Sequence, residues 1–297
     1  MMPMKKPRGP SPEQIRRRRI AAIVGVVAAL IAVVIAVVVA LPHVRGSNAA
    51  TPTVAAPPKP FKVVFPEGFT RAQMIKRVQD VAKIAARKKG RPVALSAAQY
   101  SRATKRAVVP CFTPRRQTNL EGFLFPATYD FLATTPSRQL ASAQLQAFCD
   151  NWTSINLSYA RTKKLTPYDV LIIASMIERE ALAPEDRPLV SAVIYNRLHA
   201  HMTLGIDATL RYGLNIPPTQ SILQSQLDTN NPYNTRKVQG LPPTPIANPG
   251  LASIQAAAHP AHVNYLYFVR KPDLVHHFFT ASSSAFAHYL CAHGYGC

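Results

Sequence analysis

Acidic residues are scarce in this chain of 297 residues, which contains 14 Asp and Glu against 35 Lys and Arg. The scarcity is confined to residues 1–118, where 23 of the basic residues stand beside three acidic ones, Glu13, Glu67 and Asp80. Residues 119–297 contain 12 basic and 11 acidic residues and are close to neutral. A nucleic-acid enzyme surrounds its active site with positive charge, so we expect no nucleic-acid partner for this second part.

The common catalytic motifs are also absent. The sequence has no G-x-S-x-G, H-E-x-x-H, P-loop or dinucleotide-binding pattern, which excludes the usual hydrolase, zinc-protease and nucleotide readings. His259, His276 and His277 lack the spacing of metal ligands, and we expect structural roles for them. No C-x-x-C pair occurs either. We therefore expect neither a metal nor a cofactor.

One long apolar segment is present, from Ile20 to Leu41. Its 22 residues would span about 33 Å as a helix, enough to cross a bilayer core. Basic residues including Arg16–Arg19 precede it, so the positive-inside rule predicts a cytoplasmic N-terminus. A cleaved signal peptide is the alternative, although its apolar region is normally only about 7 to 15 residues long.

The chain after this segment is predicted to lie in an oxidising compartment, where its four cysteines can form disulfides. Three connectivities are possible. The simplest pairs Cys111 with Cys149 and Cys291 with Cys297.

Composition divides the chain into five segments. We predict a basic cytoplasmic tail (1–19), a transmembrane helix (20–41), a Pro- and Ala-rich linker (42–60), a small basic module (61–118) and a larger domain (119–297). The module is predicted to contain a strand at 61–65, a Pro-Glu-Gly turn and two helices, at 70–89 and 96–106. This order is similar to part of a LysM-like glycan-binding unit, and a solvated basic module is the alternative.

The larger domain is predicted to be of the α+β class. We expect helices at 136–150, 171–181 and 185–198, from 207, near 219–226, and at 251–259 and 282–292, with a hairpin of strands at 264–270 and 276–280. The aromatic block at 120–131 is expected to be core. A Pro- and Gly-rich loop at 233–250 is long enough to suggest an ordered binding loop.

Two glutamates, Glu178 and Glu180, stand on the apolar helix LIIASMIEREA. They are about 160° apart on the helical wheel and cannot form a close carboxylate pair, so at most one can be a catalytic acid. A glutamate against apolar walls has a raised pKa, as a general acid at neutral pH requires. Cleavage of a glycosidic bond needs such an acid, and ordinary glycosidases need a second carboxylate, for which Asp207 is the best candidate.

Six blocks follow one another from about Leu120 to the C-terminus: LEGFLFPATYDF, IASMIEREA, VSAVIYNRLHAHMTLGIDATLRYG, YNTRKVQGLPPTPIANPG, AAAHPAHVNYLYFV and HHFFT. In this order they resemble the YceG-like family of endolytic murein transglycosylases.

The resemblance implies a lysozyme-like catalytic domain on a bacterial, single-pass inner-membrane protein. Such a protein cuts nascent peptidoglycan strands near the membrane and terminates their elongation. Its reaction is non-hydrolytic: one glutamate protonates the bond between MurNAc and GlcNAc, then deprotonates the MurNAc C6 hydroxyl as it attacks C1, leaving a 1,6-anhydro end. The implied partners are glycan strands, membrane lipid and peptidoglycan synthases.

The family's E-[KR]-E motif places the catalytic residue at Glu180 and gives Glu178 a supporting role. Matching positions imply that further residues line the cleft, namely Asn196, Asp207, Tyr233, Asn234 and the loop from Gly240 to Gly250. Three features depart from the family: the region before the catalytic domain is short, Thr244 stands where Gly is frequent, and the four cysteines lie outside the pattern.

Two alternatives remain open from the sequence. One is a muramidase that hydrolyses the same bond, with Asp207 as second carboxylate. The other is a scaffold of the cell-wall synthesis machinery that performs no catalysis.

Overall fold

The computed structural model describes Glu13, Gly25 and residues 27–33, 59–114 and 116–295. The chain divides into residues 1–57 and a second compact unit from residue 58 onwards. In the first unit, residues 27–33 are helical. The predicted cytoplasmic tail, almost all of the predicted linker and most of the predicted transmembrane helix lie outside the described residues. Within the described residues, no helix is both long and apolar enough to cross a membrane.

The second unit mixes helices with two-stranded antiparallel pairs, as expected for the α+β class. Its described elements are, in chain order, β1 (Phe61–Val64), α1 (Arg71–Lys89), α2 (Ala97–Ala103), β2 (Ala107–Val108), β3 (Arg116–Gln117), β4 (Thr128–Phe131), α3 (Ser137–Trp152), α4 (Ser158–Thr162), α5 (Pro167–Glu180), α6 (Asp186–His199), α7 (Asp207–Leu214), α8 (Gln224–Leu227), α9 (Leu251–Ala258), β5 (Tyr267–Arg270), β6 (His277–Thr280) and α10 (Ser283–Ala292).

Local signals explain the limits of α1. The hydroxyl of Thr70 accepts from the backbone N–H of Gln73, whose side chain in turn accepts from the backbone of Thr70, forming a capping box. The helix ends at Gly90, which adopts the left-handed conformation with φ of 64°. Both limits match the sequence prediction, because each is decided within four residues.

Contacts cross the predicted division between residues 118 and 119. Strand β1 pairs with β4, with Phe61 opposite Phe131. A disulfide joins Cys111 to Cys149, as in the simplest predicted pairing. The second predicted pair includes Cys297, which lies outside the described residues. Residues 61–118 are thus bound to the larger segment by backbone hydrogen bonds and a covalent link, and a LysM-like role for them stays a prediction.

Helix α5 lies at the centre of the unit. Thr166 caps it together with Asp169, and Pro167 occupies its first turn, so the helix begins four residues before the apolar stretch that starts at Leu171. All residues from Val170 to Ile177 are buried, rather than one stripe, because α9 and α6 both pack against the helix. Exposure begins at its C-terminal end, where the two glutamates stand.

Two predicted helices are shorter in the structure. The helix predicted near 219–226 is reduced to α8, because Arg211 donates to the carbonyls of Pro217 and Gln220 and holds that segment in a turn. The helix predicted at 96–106 ends at Ala103. The hairpin is present as predicted, with β5 and β6 paired from Tyr267 opposite Thr280 to Arg270 opposite His277.

The aromatic block predicted as core is largely core. Phe123 is completely buried and meets Phe112 edge-on, with ring centroids 4.9 Å apart. Phe148 and Trp152 of α3 stack beside them at 5.4 Å. This cluster packs the segment that follows residue 119 against the N-terminal end of α5.

Candidate active site

Glu178 is bound by the N-terminus of α9. Its Oε2 accepts from the backbone N–H of Gly250 at 3.0 Å and from the hydroxyl of Ser253 at 2.7 Å. Burial raises the pKa of Glu178, with Glu67 acting in the same direction, whereas these two hydrogen bonds and the charge of Arg187 lower it. The carboxylate is therefore a helix cap that holds α9 against α5.

Glu180 is the last residue of α5. Burial raises its pKa to about 7, the nearby carboxylate of Asp207 acts in the same direction, and the charges of Arg270 and Arg179 lower it. The backbone N–H of Ala208, in the first turn of α7, is hydrogen-bonded to the carboxylate. A carboxyl with this pKa is substantially protonated at neutral pH and also has donors ready for its charged form.

Arg270 holds this end of α5 in place. Its Nη2 donates to the carbonyl oxygen of Glu180 at 3.1 Å, from the last position of β5. The guanidinium of Arg270 thus donates to the backbone of Glu180, and its positive charge also acts on the Glu180 carboxylate. The sequence reasoning did not single out Arg270.

Asp207 opens α7 and forms an ion pair with Arg236, whose Nε lies 2.8 Å from Asp207 Oδ1. About half of each side chain is exposed. The charge of Asp207 raises the pKa of Glu180, and a role for Asp207 as second carboxylate stays a prediction.

A cleft of about 600 Å³ is lined by Arg179 and Ala208, the chain neighbours of Glu180 and Asp207. Both residues interact with the Glu180 carboxylate. Its other walls come from the start of α1, the segment around Glu121 and the second half of α7 with the turn after it. Tyr233 lines the cleft.

Glu121 is a cleft residue that the sequence reasoning missed. It is 3% exposed and accepts hydrogen bonds from the backbone N–H of Arg71 at 2.9 Å, the hydroxyl of Tyr212 at 3.1 Å and the amide of Asn248 at 2.8 Å. Burial raises its pKa to about 7, against these donors. The only sequence feature that could have indicated Glu121 is its position as the single glutamate in the aromatic block 120–131.

Asn248 connects three segments through one side chain. Its Oδ1 accepts from the backbone N–H groups of Gly122 and Leu124, both at 2.9 Å, while its Nδ2 donates to Glu121 and to the carbonyl of Phe69. The predicted binding loop is therefore ordered here by buried polar contacts. It is joined to α5 as well, since the backbone N–H of Ile246 donates to Ser175 Oγ at 3.0 Å.

The remaining predicted site residues fall into two groups. Tyr233 faces the cleft, with its hydroxyl 2.8 Å from Thr244 Oγ1 and its ring 5.2 Å from that of Tyr212. Asn234 is completely buried and donates to the carbonyls of Leu227 and Thr229, both at 2.9 Å. The Asn234 side chain therefore stabilises the backbone at residues 227–229 and does not line the cleft.

Asn196 also supports backbone. Its amide donates to the carbonyls of Val263 and Tyr265, both at 2.9 Å, which positions the chain entering β5. It borders a different surface from the cleft. The described residues that line the cleft do not include Asn196 or Asn234, nor the carboxylates Glu178, Glu180 and Asp207.

The histidine His277 links two elements of the fold. His277 is buried, and its Nδ1 lies 2.9 Å from Asp186 Oδ2, which joins β6 to the start of α6. Burial lowers the pKa of His277. Within the described residues, no group of three or more His, Cys, Asp or Glu side chains is arranged to hold a metal ion.

Comparisons with known proteins agree on one family. The sequence profile of the YceG-like family matches residues 43–290. An endolytic murein transglycosylase from Bacillus subtilis is 37% identical over 154 residues, covering 52% of this chain and 42% of that protein. A protein of the same name from Streptococcus pneumoniae is 33% identical over 219 residues, covering 69% of this chain and 36% of that protein. The chain thus spans less than half the length of the curated relatives it matches.

A solved structure extends the likeness to the fold. The crystal structure of a YceG-like protein from Listeria monocytogenes matches with a TM-score of 0.62 and 27% identity, over 77% of this chain and 75% of that one. With the profile covering most of the sequence and the fold shared, the chain belongs to the YceG-like family.

Proposed function

We propose that this protein is a lytic transglycosylase that cleaves the bond between MurNAc and GlcNAc within peptidoglycan strands, with Glu180 as acid and then base. The observation that carries the proposal is the environment of Glu180, a carboxyl with a pKa of about 7 that interacts with two cleft-lining residues, Arg179 and Ala208. The names of the related proteins from Bacillus subtilis and Streptococcus pneumoniae support the choice of murein as substrate.

The reaction needs one carboxyl group. Protonated Glu180 gives its proton to the oxygen that joins MurNAc C1 to GlcNAc, and the C1–O bond breaks. The C6 hydroxyl oxygen of the same MurNAc then bonds to C1, and Glu180 takes the hydroxyl proton. One strand yields two, one ending in 1,6-anhydro-MurNAc, and the acid is regenerated without water.

The surroundings of Glu180 suit both steps. Its raised pKa keeps the proton available at neutral pH, while Arg270 and the N–H of Ala208 stabilise the carboxylate after the proton has left. Glu178 is less suited to this role, because its carboxylate already caps α9 through Gly250 and Ser253.

A hydrolytic muramidase is the second candidate, and one observation favours it. Asp207 stands close enough to Glu180 to influence its pKa and could activate a water molecule. Its ion pair with Arg236 instead suits a positioning role, in which Asp207 fixes the first turn of α7 around the Ala208 N–H. The two candidates differ in product, since hydrolysis leaves a reducing end.

Location follows from the sequence of residues 20–41, which we propose to be a single membrane anchor with the N-terminus in the cytoplasm. The catalytic unit would then meet nascent strands close to the membrane and the synthases that make them, and terminate elongation. Extraction of membranes with alkaline carbonate should leave the chain in the pellet, and release of the full-length chain would contradict an anchor.

The decisive experiment is mass spectrometry of the products from uncrosslinked peptidoglycan strands. Wild-type protein should produce 1,6-anhydro-MurNAc ends. Glu180→Gln should lower the rate at least about 1,000-fold, in line with losing both proton transfers. Glu178→Gln is the matched control, the same substitution two residues away, and should retain most of the activity if α9 stays folded.

Other outcomes are equally informative. Reducing ends would establish the muramidase, and loss of activity only in the Glu178 variant would move the catalytic role. If wild-type protein cleaves no strand while the Glu180 variant supports normal cell growth, the scaffold explanation replaces the enzymatic one.

A further inference from the structure

Another groove of the molecule shares no lining residue with the cleft. It has a volume of about 490 Å³ and lies between α9 and the segments 154–156 and 184–188. Ala252, Gln255, Ala256 and His259 form its floor, at the spacing that places side chains on one helix face. Ala252, Gln255 and His259 are exposed, so this face of α9 is open to a ligand.

Arg187 is the charged group of this groove. Its Nε is buried without a hydrogen-bond partner in the described part of the chain. Its charge acts on Glu178, but the carboxylate of Glu178 is already occupied by Gly250 and Ser253. A buried donor without a partner is unfavourable, and more so when it belongs to an ionised group. Among the described residues that line the groove none is acidic, so its charge favours an anion.

The rest of the lining suggests what carries that anion. Asn156 and Gln255 offer side-chain amides, which pair with peptide groups. Ile155, Pro184 and Ala256 offer small apolar walls that suit methyl side chains. Guanidinium groups bind carboxylates through two parallel hydrogen bonds. The combination fits a short, alanine-containing peptide that ends in a carboxylate.

We propose that this groove binds the stem peptide of the glycan substrate through its terminal carboxylate, with Arg187 as the recognition residue. The proposal rests on the proposed function, since murein strands carry such peptides on MurNAc. The placement is suitable, because α5 ends at Glu180 and α6 begins at Asp186, next to Arg187. One helix junction thus presents the acid to the sugar and the guanidinium to the peptide.

The test is calorimetric titration of the full chain in detergent with the pentapeptide L-Ala-γ-D-Glu-L-Lys-D-Ala-D-Ala, carrying either a free or an amidated C-terminus. Wild-type protein should bind the free acid about tenfold more tightly than the amide, as expected for one charged hydrogen-bonded pair. Arg187→Gln should abolish this difference. Arg138→Gln, an exposed arginine on the first turn of α3, is the matched control and should preserve it.

A second variant tests the groove without changing Arg187, in case Arg187→Gln does not fold. Ala252→Leu fills the groove from an exposed helix position and should weaken binding of both peptides while the melting temperature is unchanged. Equal affinity of wild-type protein for acid and amide, the absence of any binding, or an unchanged preference in Arg187→Gln would overturn the proposal.

Cleavage assays separate this proposal from the proposed function. Arg187→Gln should raise KM about tenfold for strands that carry peptides and leave KM for peptide-stripped strands unchanged. If wild-type protein cleaves neither strand, the proposed function fails whatever the peptide titration shows. If it cleaves both and Arg187→Gln changes neither KM, the peptide site alone fails.

Discussion

The two glutamates at the end of α5 show how strongly a neighbour decides the role of a side chain. Glu178 meets the N–H and hydroxyl groups of α9, whereas Glu180, two residues later, meets the hairpin and α7. The helical wheel predicts that they point in different directions. It does not predict what each one meets, because those partners lie between 27 and 90 residues further along the chain.

Arg270 should tune the pH dependence of cleavage. Glu180 acts first as an acid, so kcat/KM should fall as pH rises through its pKa of about 7. The positive charge of Arg270 lowers that pKa, and Arg270→Gln should therefore shift the alkaline limit of kcat/KM to higher pH while lowering kcat. The measurement is kcat/KM on glycan strands between pH 5 and pH 9.

Arg270→Lys is the control for this shift, because it keeps the charge and loses the forked geometry. It should restore the wild-type alkaline limit even if kcat stays low. Asp207 acts on the same carboxyl in the opposite sense, so Asp207→Asn should move the limit to lower pH. An alkaline limit that is the same in wild type and Arg270→Gln would show that Arg270 does not act on the acid.

Gly122 is required by its surroundings as well as by its backbone. Its φ is 89°, and an added Cβ would lie 2.7 Å from both Cβ and Cγ of Pro245, in the predicted binding loop. Gly240 has the same φ, but no atom within 4 Å of an added Cβ. Gly122→Ala should therefore destabilise the protein by about 1 to 3 kcal/mol more than Gly240→Ala. Urea unfolding of the two variants measures this difference, and equal losses would mean that the close contact relaxes freely.

Glu121 was not predicted from the sequence because the hydrogen-bond partners of its carboxylate are distant in the chain. Glu121 receives hydrogen bonds from Arg71, Tyr212 and Asn248, which are 50, 91 and 127 residues away. No local period or spacing encodes such contacts, so reading the chain in order finds Glu121 only as a carboxylate among aromatics. Glu180 and Asp207 can be proposed from the sequence, because one stands on an apolar helix, the other is a candidate second carboxylate, and both match family positions.

At the scale of elements, the limits of a helix or strand were predicted correctly where residues close in sequence determine them. Helix α1 has a capping box at one end and a left-handed glycine at the other, and both limits were predicted. The hairpin was also predicted, since both strands are rich in aromatic residues. Helix α8 was predicted too long because the turn before it is held by Arg211, a contact that does not appear as a sequence pattern.

The disulfide between Cys111 and Cys149 ties the segment before β3 to α3, across 38 residues of sequence. Closing a loop of this length in the unfolded chain stabilises the folded state by about 4 kcal/mol in the chain-entropy model. We expect the double variant Cys111→Ala/Cys149→Ala to lose stability of this order in thermal unfolding. Reductant should lower the melting temperature of wild-type protein to a similar extent.

The same double variant controls for the remaining cysteines. Reductant acting on it reports only on Cys291 and Cys297. If reductant lowers its melting temperature as much as that of wild type, the stabilisation comes from the C-terminal cysteines and not from the link to α3.

At the scale of the whole molecule, charge is divided between two parts that the fold joins. Residues 61–118 are strongly basic and 119–297 nearly neutral, yet β1 pairs with β4 and the two parts share a disulfide. The basic part presents its charge on the exposed side and C-terminal end of α1, at Lys83, Arg87, Lys88 and Lys89. Exposed positive charge concentrated on one helix attracts polyanions.

This division predicts attraction to anionic wall polymers that salt weakens. Replacing the four α1 residues with Gln should lower the affinity of the full chain for poly(glycerol phosphate) by about tenfold or more at low salt, since each exposed ion pair contributes up to about 1 kcal/mol. The difference should shrink as ionic strength rises, because screening shortens the reach of surface charges. The control is the same substitution at four exposed residues of the neutral part, Arg138, Arg161, Lys163 and Lys164, with equal loss of net charge. If both quadruple variants weaken binding equally, net charge alone attracts the polymer, and α1 is not its binding surface.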